Sequence, residues 1–176
     1  MAADMKEMIA RAAVTLLKEK KVKRLTVKDI VSECHITRQA FYYHFEDIPD
    51  LVRWIVDKSS EELMQECLSQ KDIESGLRYF FAVAVSARPL MQRGLHSDYR
   101  DEFELLLTDF IYRFFERAVE ELQLYSGCSH FRLRLLLRYH SQAIMGILRT
   151  WSDADTKHMD EIVHDIYLMS IGEITP

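Results

Sequence analysis

The sequence predicts an all-α fold, and three features carry that expectation. The 176 residues include only 5 Gly and 3 Pro, so breakers are scarce and long helices are favoured. Apolar residues recur at three- and four-residue intervals from Met5 onward, the period of a helix with one buried face. Helix-start signals then follow one another with short gaps between them. A 48% hydrophobic content supplies a packed core rather than a disordered chain.

The elements follow in order. Met5, Ile9, Ala12/Ala13 and Leu16 mark an amphipathic helix over about 4–20. A second begins at LTVKDI, where Thr26 caps, Asp29 completes a capping-box-like pair and Leu25 staples onto Ile30; it ends near Cys34. The pattern repeats at once, with Thr37 as cap, Ile36 before it and Phe41 as staple partner. Two capped helices so close together must turn sharply, which makes a helix-turn-helix. Asp47 and Pro49 start a fourth helix reaching about Gln70. Helices over 72–87, where Pro89 stops the run, 98–124, 130–152 and 156–170 complete a compact bundle, with a short helical turn before Gly94 and a break at Gly127, about nine helices in all.

Within ITRQAFYYHF (36–45), Phe41 and Phe45 lie one turn apart on one face. With that face inward, Gln39, Tyr42 and Tyr43 project outward and Arg38 sits at the flank. Gln pairs bidentately with adenine, Arg with guanine, and Tyr reaches phosphates or thymine methyls. The chemistry is that of a recognition helix. The charge is arranged to match: residues 1–58 hold 11 Lys/Arg against 9 Asp/Glu, although the whole chain carries −5. The basic run lies in KEKKVKRLTVK, 18–28, on an acidic body.

The segment TVKDIVSECHITRQAFYYHFEDIPDLVRWI, 26–55, resembles the DNA-binding head of the tetracycline-repressor (TetR) family of bacterial regulators. Thr26, Ile30, Ile36-Thr37, Tyr42-Tyr43-His44-Phe45 and Asp50-Leu51 carry the resemblance. It implies a helix-turn-helix DNA-binding domain over 1–47 and a helical regulatory and dimerisation domain over 48–176. It also implies a homodimer that reads both halves of a palindromic operator in double-stranded DNA. The matching DNA contacts would come from Thr37, Arg38, Gln39, Ala40, Tyr42, Tyr43 and His44, with Thr26 and Lys28 on phosphate. RQAFYYHFEDIPDLVRWI with the late GILRTW is similar to a subset typified by a dihydroxyacetone-kinase operon regulator, whose members can be activators that depend on a partner protein. Three departures stand out. His35 replaces the turn glycine, Lys20-Lys21 stand where a glycine usually follows the first helix, and Ile48-Pro49 replace a phosphate-reaching lysine.

The resemblance places an effector pocket between the middle helices. The aromatics Tyr79, Phe80, Phe81, Phe103, Phe110, Phe114 and Tyr139 are candidates to line it or to form core. Polar groups among apolar ones single out His140, with Arg78, Tyr139 and Gln142, and predict a ligand bearing hydroxyl, carbonyl or carboxylate groups. AIMGILRTW and the last helix suggest a dimer seam through Ile144, Ile147, Trp151, Ile162, Ile166 and Met169, with Gly146 allowing close approach. Ligand binding would act through the long fourth helix as a pendulum on the head.

Other classes find less support. The seven histidines include no HExxH, and His158 and His164, six apart, do not share a helix face. No catalytic residues, metal ligands or cofactor are therefore assigned. Cys34, Cys67 and Cys128 read as reduced thiols. No run approaches 18 apolar residues, and the N-terminus has no signal-peptide pattern. The expected setting is the bacterial cytoplasm, at the nucleoid. The competing reading is a helical protein–protein adaptor or co-activator without autonomous DNA binding.

Overall fold

A computed structural model of the chain describes residues 2–18, 22, 25–95 and 99–173. Among these residues it is entirely helical apart from turns, with nine helices. They are α1 (Ala2–Lys18), α2 (Val27–Cys34), α3 (Arg38–His44), α4 (Ile48–Leu68), α5 (Ile73–Leu95), α6 (Arg100–Glu121), α7 (His130–Thr150), α8 (Asp153–Lys157) and α9 (Met159–Ile171). The all-α expectation is met. Most of the basic run, at 19–21, 23 and 24, lies outside the described residues, as do the expected end of the first helix near 20 and start of the sixth at 98.

The chain forms two compact units, 1–58 with 89–104, and 59–88 with 105–176. In the first, Ile9, Ala13 and Leu16 of α1 close on Ile30, Phe41, Phe45 and Leu51, with Leu25, Ile36 and Trp54 packed around them. Both predicted staples therefore lead into this core. The Nζ of Lys6 stands 5.1 Å from the centre of the Phe45 ring, and Lys58 pairs with Glu7.

The second unit is built on Met64, Phe80, Phe81, Ile111, Phe114, Leu137, Ile144, Leu148, Trp151 and Val163, all buried. Phe80 lies 4.9 Å from Phe114 and 5.2 Å from Phe115, ring centre to ring centre, within the range of favourable aromatic pairs. Arg117 of α6 reaches Glu61 of α4, and Arg88 of α5 sits 3.2 Å from Asp153 of α8. Such exposed pairs each add little.

Several boundaries differ from expectation, among them the ends of α6 at Glu121 and α7 at Thr150, short of 124 and 152. Pro89 does not end the fifth helix, which continues to Leu95. Proline removes one hydrogen bond and crowds the preceding turn, but a 23-residue helix has flanking turns that propagate cooperatively through the gap. The fourth helix stops at Leu68, two residues short of expectation. The single last helix is two. Ser152 and Asp155 form a capping box that starts α8 early, with Ser152 N–H donating to Asp155 Oδ2 at 2.7 Å. His158, at φ −111° and ψ 20°, separates α8 from α9.

Candidate nucleic-acid interface and effector cavity

The turn between α2 and α3 is fixed by its caps. Thr26 Oγ1 accepts the Asp29 N–H at 3.2 Å and donates to Asp29 Oδ2 at 2.6 Å. Thr37 Oγ1 accepts the Ala40 N–H at 3.1 Å. Between them His35 takes the left-handed conformation, φ 55° and ψ 40°, and its N–H closes onto Ser32 O. The histidine thus adopts the backbone angles a glycine supplies without strain, and the short turn is kept. Since a left-handed non-glycine residue is strained by about 1–2 kcal/mol, His35→Gly should change stability by less than about 1 kcal/mol, strain relief being offset by unfolded-chain entropy. His35→Val, β-branched, should lose about 1–2 kcal/mol. Urea unfolding of the two variants checks both values.

On α3 the aromatic crowd divides. Phe41 is fully buried and Phe45 is 2% exposed, while Tyr42 and Tyr43 are 56% and 83% exposed. Arg38, Gln39, Thr37 and Lys28 are exposed; Ala40, His44 and Thr26 are half-buried. Phe41 holds Tyr42 edge-on at 5.5 Å, and Tyr43 stacks edge-on to His44 at 5.0 Å. The buried Phe41 behind Tyr42 and the half-buried His44 beside Tyr43 restrict the outer face before any ligand arrives. The two threonines differ in capacity. The Thr26 proton already goes to Asp29, whereas Thr37 only accepts, so its O–H remains able to donate to a phosphate. The fourth helix opens with Asp50 N–H donating to Asp47 Oδ1 at 2.8 Å and Glu46 N–H to Asp50 Oδ2 at 3.0 Å.

The second unit contains a cavity of about 270 Å³. Its wall is mostly apolar, including Leu77, Phe80, Phe114, Phe115, Leu137 and Ile144, with His140 among them. Of the ten pocket candidates named from sequence, Phe80, Phe114 and His140 line it. The other seven do not. Arg78 is held by Glu74 at 2.9 Å and by Asp160, and Phe81 packs against Trp151 at 5.9 Å. Phe110 packs on Phe114 at 6.1 Å from behind the wall. Tyr139 is 68% exposed and Gln142 is exposed. Residues 139 and 142 share a helix face with each other, while residue 140, about 100° round from residue 139, turns inward.

Sequence reasoning missed the remainder of the wall. Cys67 and Gly76 belong to it, as do Leu122, Leu124 and Tyr125 in the α6–α7 connection. Burial pushes the Cys67 thiol up to about 11, which makes it a poor nucleophile. Gln123 and Tyr125 are left-handed, at φ 51° and 56°, and Tyr125 O–H donates to Ser170 O at 2.8 Å. Gly76 is required by contact: a Cβ there would lie 2.8 Å from Cys67 O. Gly76→Ala should lower stability by about 1–2 kcal/mol, since a forced backbone shift outweighs the roughly 1 kcal/mol helix-propensity gain. Thermal unfolding reads this directly. No sequence pattern marks Gly76, because the contact joins two helices.

The residues expected at a dimer seam also divide. Ile144, Trp151 and Ile166 are buried inside the chain, at 4%, 3% and 9% exposure. They pack the body rather than present a surface. Their apolar spacing looked the same from sequence, because periodicity identifies a covered face but not what covers it. Ile147 and Ile162 are half-buried, and Met169 is exposed. The uncovered apolar residues of α7 are Phe131, Leu135 and Tyr139, at successive four-residue steps on one face.

Among the described residues no group of three or more His, Cys, Asp or Glu is placed to hold a metal. No helix among them is long and apolar enough to cross a membrane.

Residues 9–54 match the family model for bacterial regulatory proteins of the tetR family. No curated protein matches the chain significantly. Among solved structures, the dihydroxyacetone kinase operon activator DhaS is similar at TM-score 0.65 and 18% identity, with 97% of this chain and 96% of that one covered. The Thermus thermophilus FadR, a TetR-family transcriptional repressor solved in complex with lauroyl-CoA, gives 0.63 and 19%, covering 97% and 95%. FadR from Bacillus halodurans, a fatty acid degradation regulator, gives 0.58 and 14%, covering 97% and 96%. The match to the tetR family model thus covers the helix-turn-helix region, residues 9–54, and the likeness of the whole chain to these regulators is one of fold.

Proposed function

We propose that the protein is a sequence-specific transcriptional regulator of the bacterial nucleoid that docks α3 in the DNA major groove. It binds a palindromic operator as a homodimer, and a small effector in the cavity adjusts operator affinity. The observation that carries this reading is the exposed Arg38, Gln39, Tyr42 and Tyr43 face over the buried Phe41 and Phe45. Base readout comes from Gln39 and Arg38, and Thr37 and Lys28 hold phosphates. Tyr42, Tyr43, Ala40 and His44 complete the contact surface. Thr26 supports it indirectly, through its cap on α2. The functional division is a DNA-binding domain over 1–47 and a regulatory and dimerisation domain over 48–176.

Selection of the purified protein against random duplex DNA, at near-physiological salt, tests the reading. A recovered palindrome with fixed half-site spacing is the expected result. Retention no better than non-specific background would sink autonomous operator binding. It would favour the adaptor reading, for which the uncovered Phe131, Leu135 and Tyr139 stripe is the motivating observation.

For the dimer, the supporting features are that stripe, with Ile162 and Met169 of α9, and Gly146, where an added Cβ would meet nothing within 4 Å in the single chain. Gly146→Ala should therefore stabilise the isolated chain by up to about 1 kcal/mol. It should also weaken the dimer about tenfold if a partner helix approaches there. Sedimentation equilibrium measures the second effect, and an unchanged dissociation constant would move the seam off Gly146.

A further inference from the structure

The geometry points to an uncharged, predominantly apolar effector for the second-unit cavity, one whose single hydrogen-bonding group meets His140. This rests on the proposed regulatory reading and names the ligand class that sequence alone left broader. From sequence, hydroxyl, carbonyl and carboxylate groups were all open, with Arg78 among the residues to meet them. In the fold Arg78 is committed to Glu74 and Asp160 and is absent from the wall. The cation that does belong to the wall is Lys71. Its side chain is 82% exposed and lies 3.7 Å from the Asp72 carboxylate, so the edge of the cavity is charge-balanced.

The remaining polar groups of the wall are mostly occupied. Tyr125 O–H donates to Ser170 O, Ser170 O–H donates to Tyr167 O, and the Gln70 amide donates to Glu66 O. Among the described residues the His140 imidazole and the Tyr167 hydroxyl have no hydrogen-bond partner, and both line the cavity. An unpaired polar group in an apolar wall gains from a ligand that supplies its partner. Burial also lowers the His140 pKa, which keeps the ring neutral near pH 7. A neutral imidazole can donate or accept one bond, but it does not compensate a carboxylate or ammonium moved out of water.

The test compares decanol, decanoate and decylammonium, matched in chain length, binding to the intact protein at neutral pH by isothermal titration calorimetry. Decanol is expected to bind at least tenfold more tightly than either ion. His140→Leu should remove most of decanol's advantage over the ions while leaving the thermal transition within a few degrees. Ala118→Phe, which fills the cavity from its wall, should abolish binding of all three. If decanoate binds as well as decanol or better, the charged head is held at the Lys71 edge and the inference is overturned. Failure of decanol to bind overturns it too. Because these measurements need no DNA, such failure leaves operator selection untouched, and the regulatory reading stands or falls separately.

Discussion

Phe41→Ala should unfold the helix-turn-helix at temperatures where the wild-type chain is intact. The ring is fully buried beside Phe45, Ile30 and Leu51, and large-to-small substitution of a buried Phe costs about 3–5 kcal/mol. Two terms contribute. The lost transfer energy is the first, and the hole left between α1, α2 and α3 is the second, since short capped helices cannot close on it without breaking their own turns. A loss of that size is comparable to the whole stability of a small domain. The expected result is an early unfolding transition in helical circular dichroism, with DNA binding lost alongside it. Tyr43→Ala, two residues on but 83% exposed, should shift stability by no more than about 0.5 kcal/mol. Equal stability of Phe41→Ala and wild type would overturn the inward assignment of this ring.

The double variant Gln39→Ala, Tyr42→Ala should do the reverse, leaving the fold intact while reducing operator affinity by about 100-fold. A bidentate side-chain-to-base pair is worth about 1–3 kcal/mol, and the tyrosine adds apolar and phosphate contact. Neither side chain belongs to the core of the first unit, so the thermal transition should be unmoved. Fluorescence anisotropy against the selected operator and a scrambled duplex separates the effects. Binding to the scrambled duplex, set by phosphate neutralisation, should fall far less. Retention of operator affinity within threefold would remove α3 from the recognition surface. Together the two variants distinguish scaffold from reading face on adjacent residues of a seven-residue helix.

These two faces are separable from the sequence, because the information is local. Thr26 and Thr37 are caps by residue type and position. The staples Leu25 with Ile30 and Ile36 with Phe41 follow from the spacing after each cap. Phe41 and Phe45 share a face because they are one turn apart. The His35 turn shows the same locality. Two capped helices with two or three residues between them leave one hydrogen-bonded solution, and His35 adopts the left-handed angles it demands.

The body was legible as helices but not as a site. Every candidate there depended on which helix covers which face, and apolar spacing does not encode a partner. Ile144 and Trp151 looked like a seam and are core. Arg78 looked like a ligand anchor and is neutralised by Glu74, one turn before it, and by Asp160, 82 residues later. The cavity wall draws on α4, α5, α6, α7, α9 and the α6–α7 connection, a combination that no stretch of sequence displays. By itself, then, the sequence determined the helices, the caps, the helix-turn-helix and its outward face, all set by interactions within four or five residues. Only the tertiary structure decided that His140 lines a cavity while Tyr139 faces solvent, and which apolar faces stay uncovered, because those outcomes depend on packing between residues far apart in the chain.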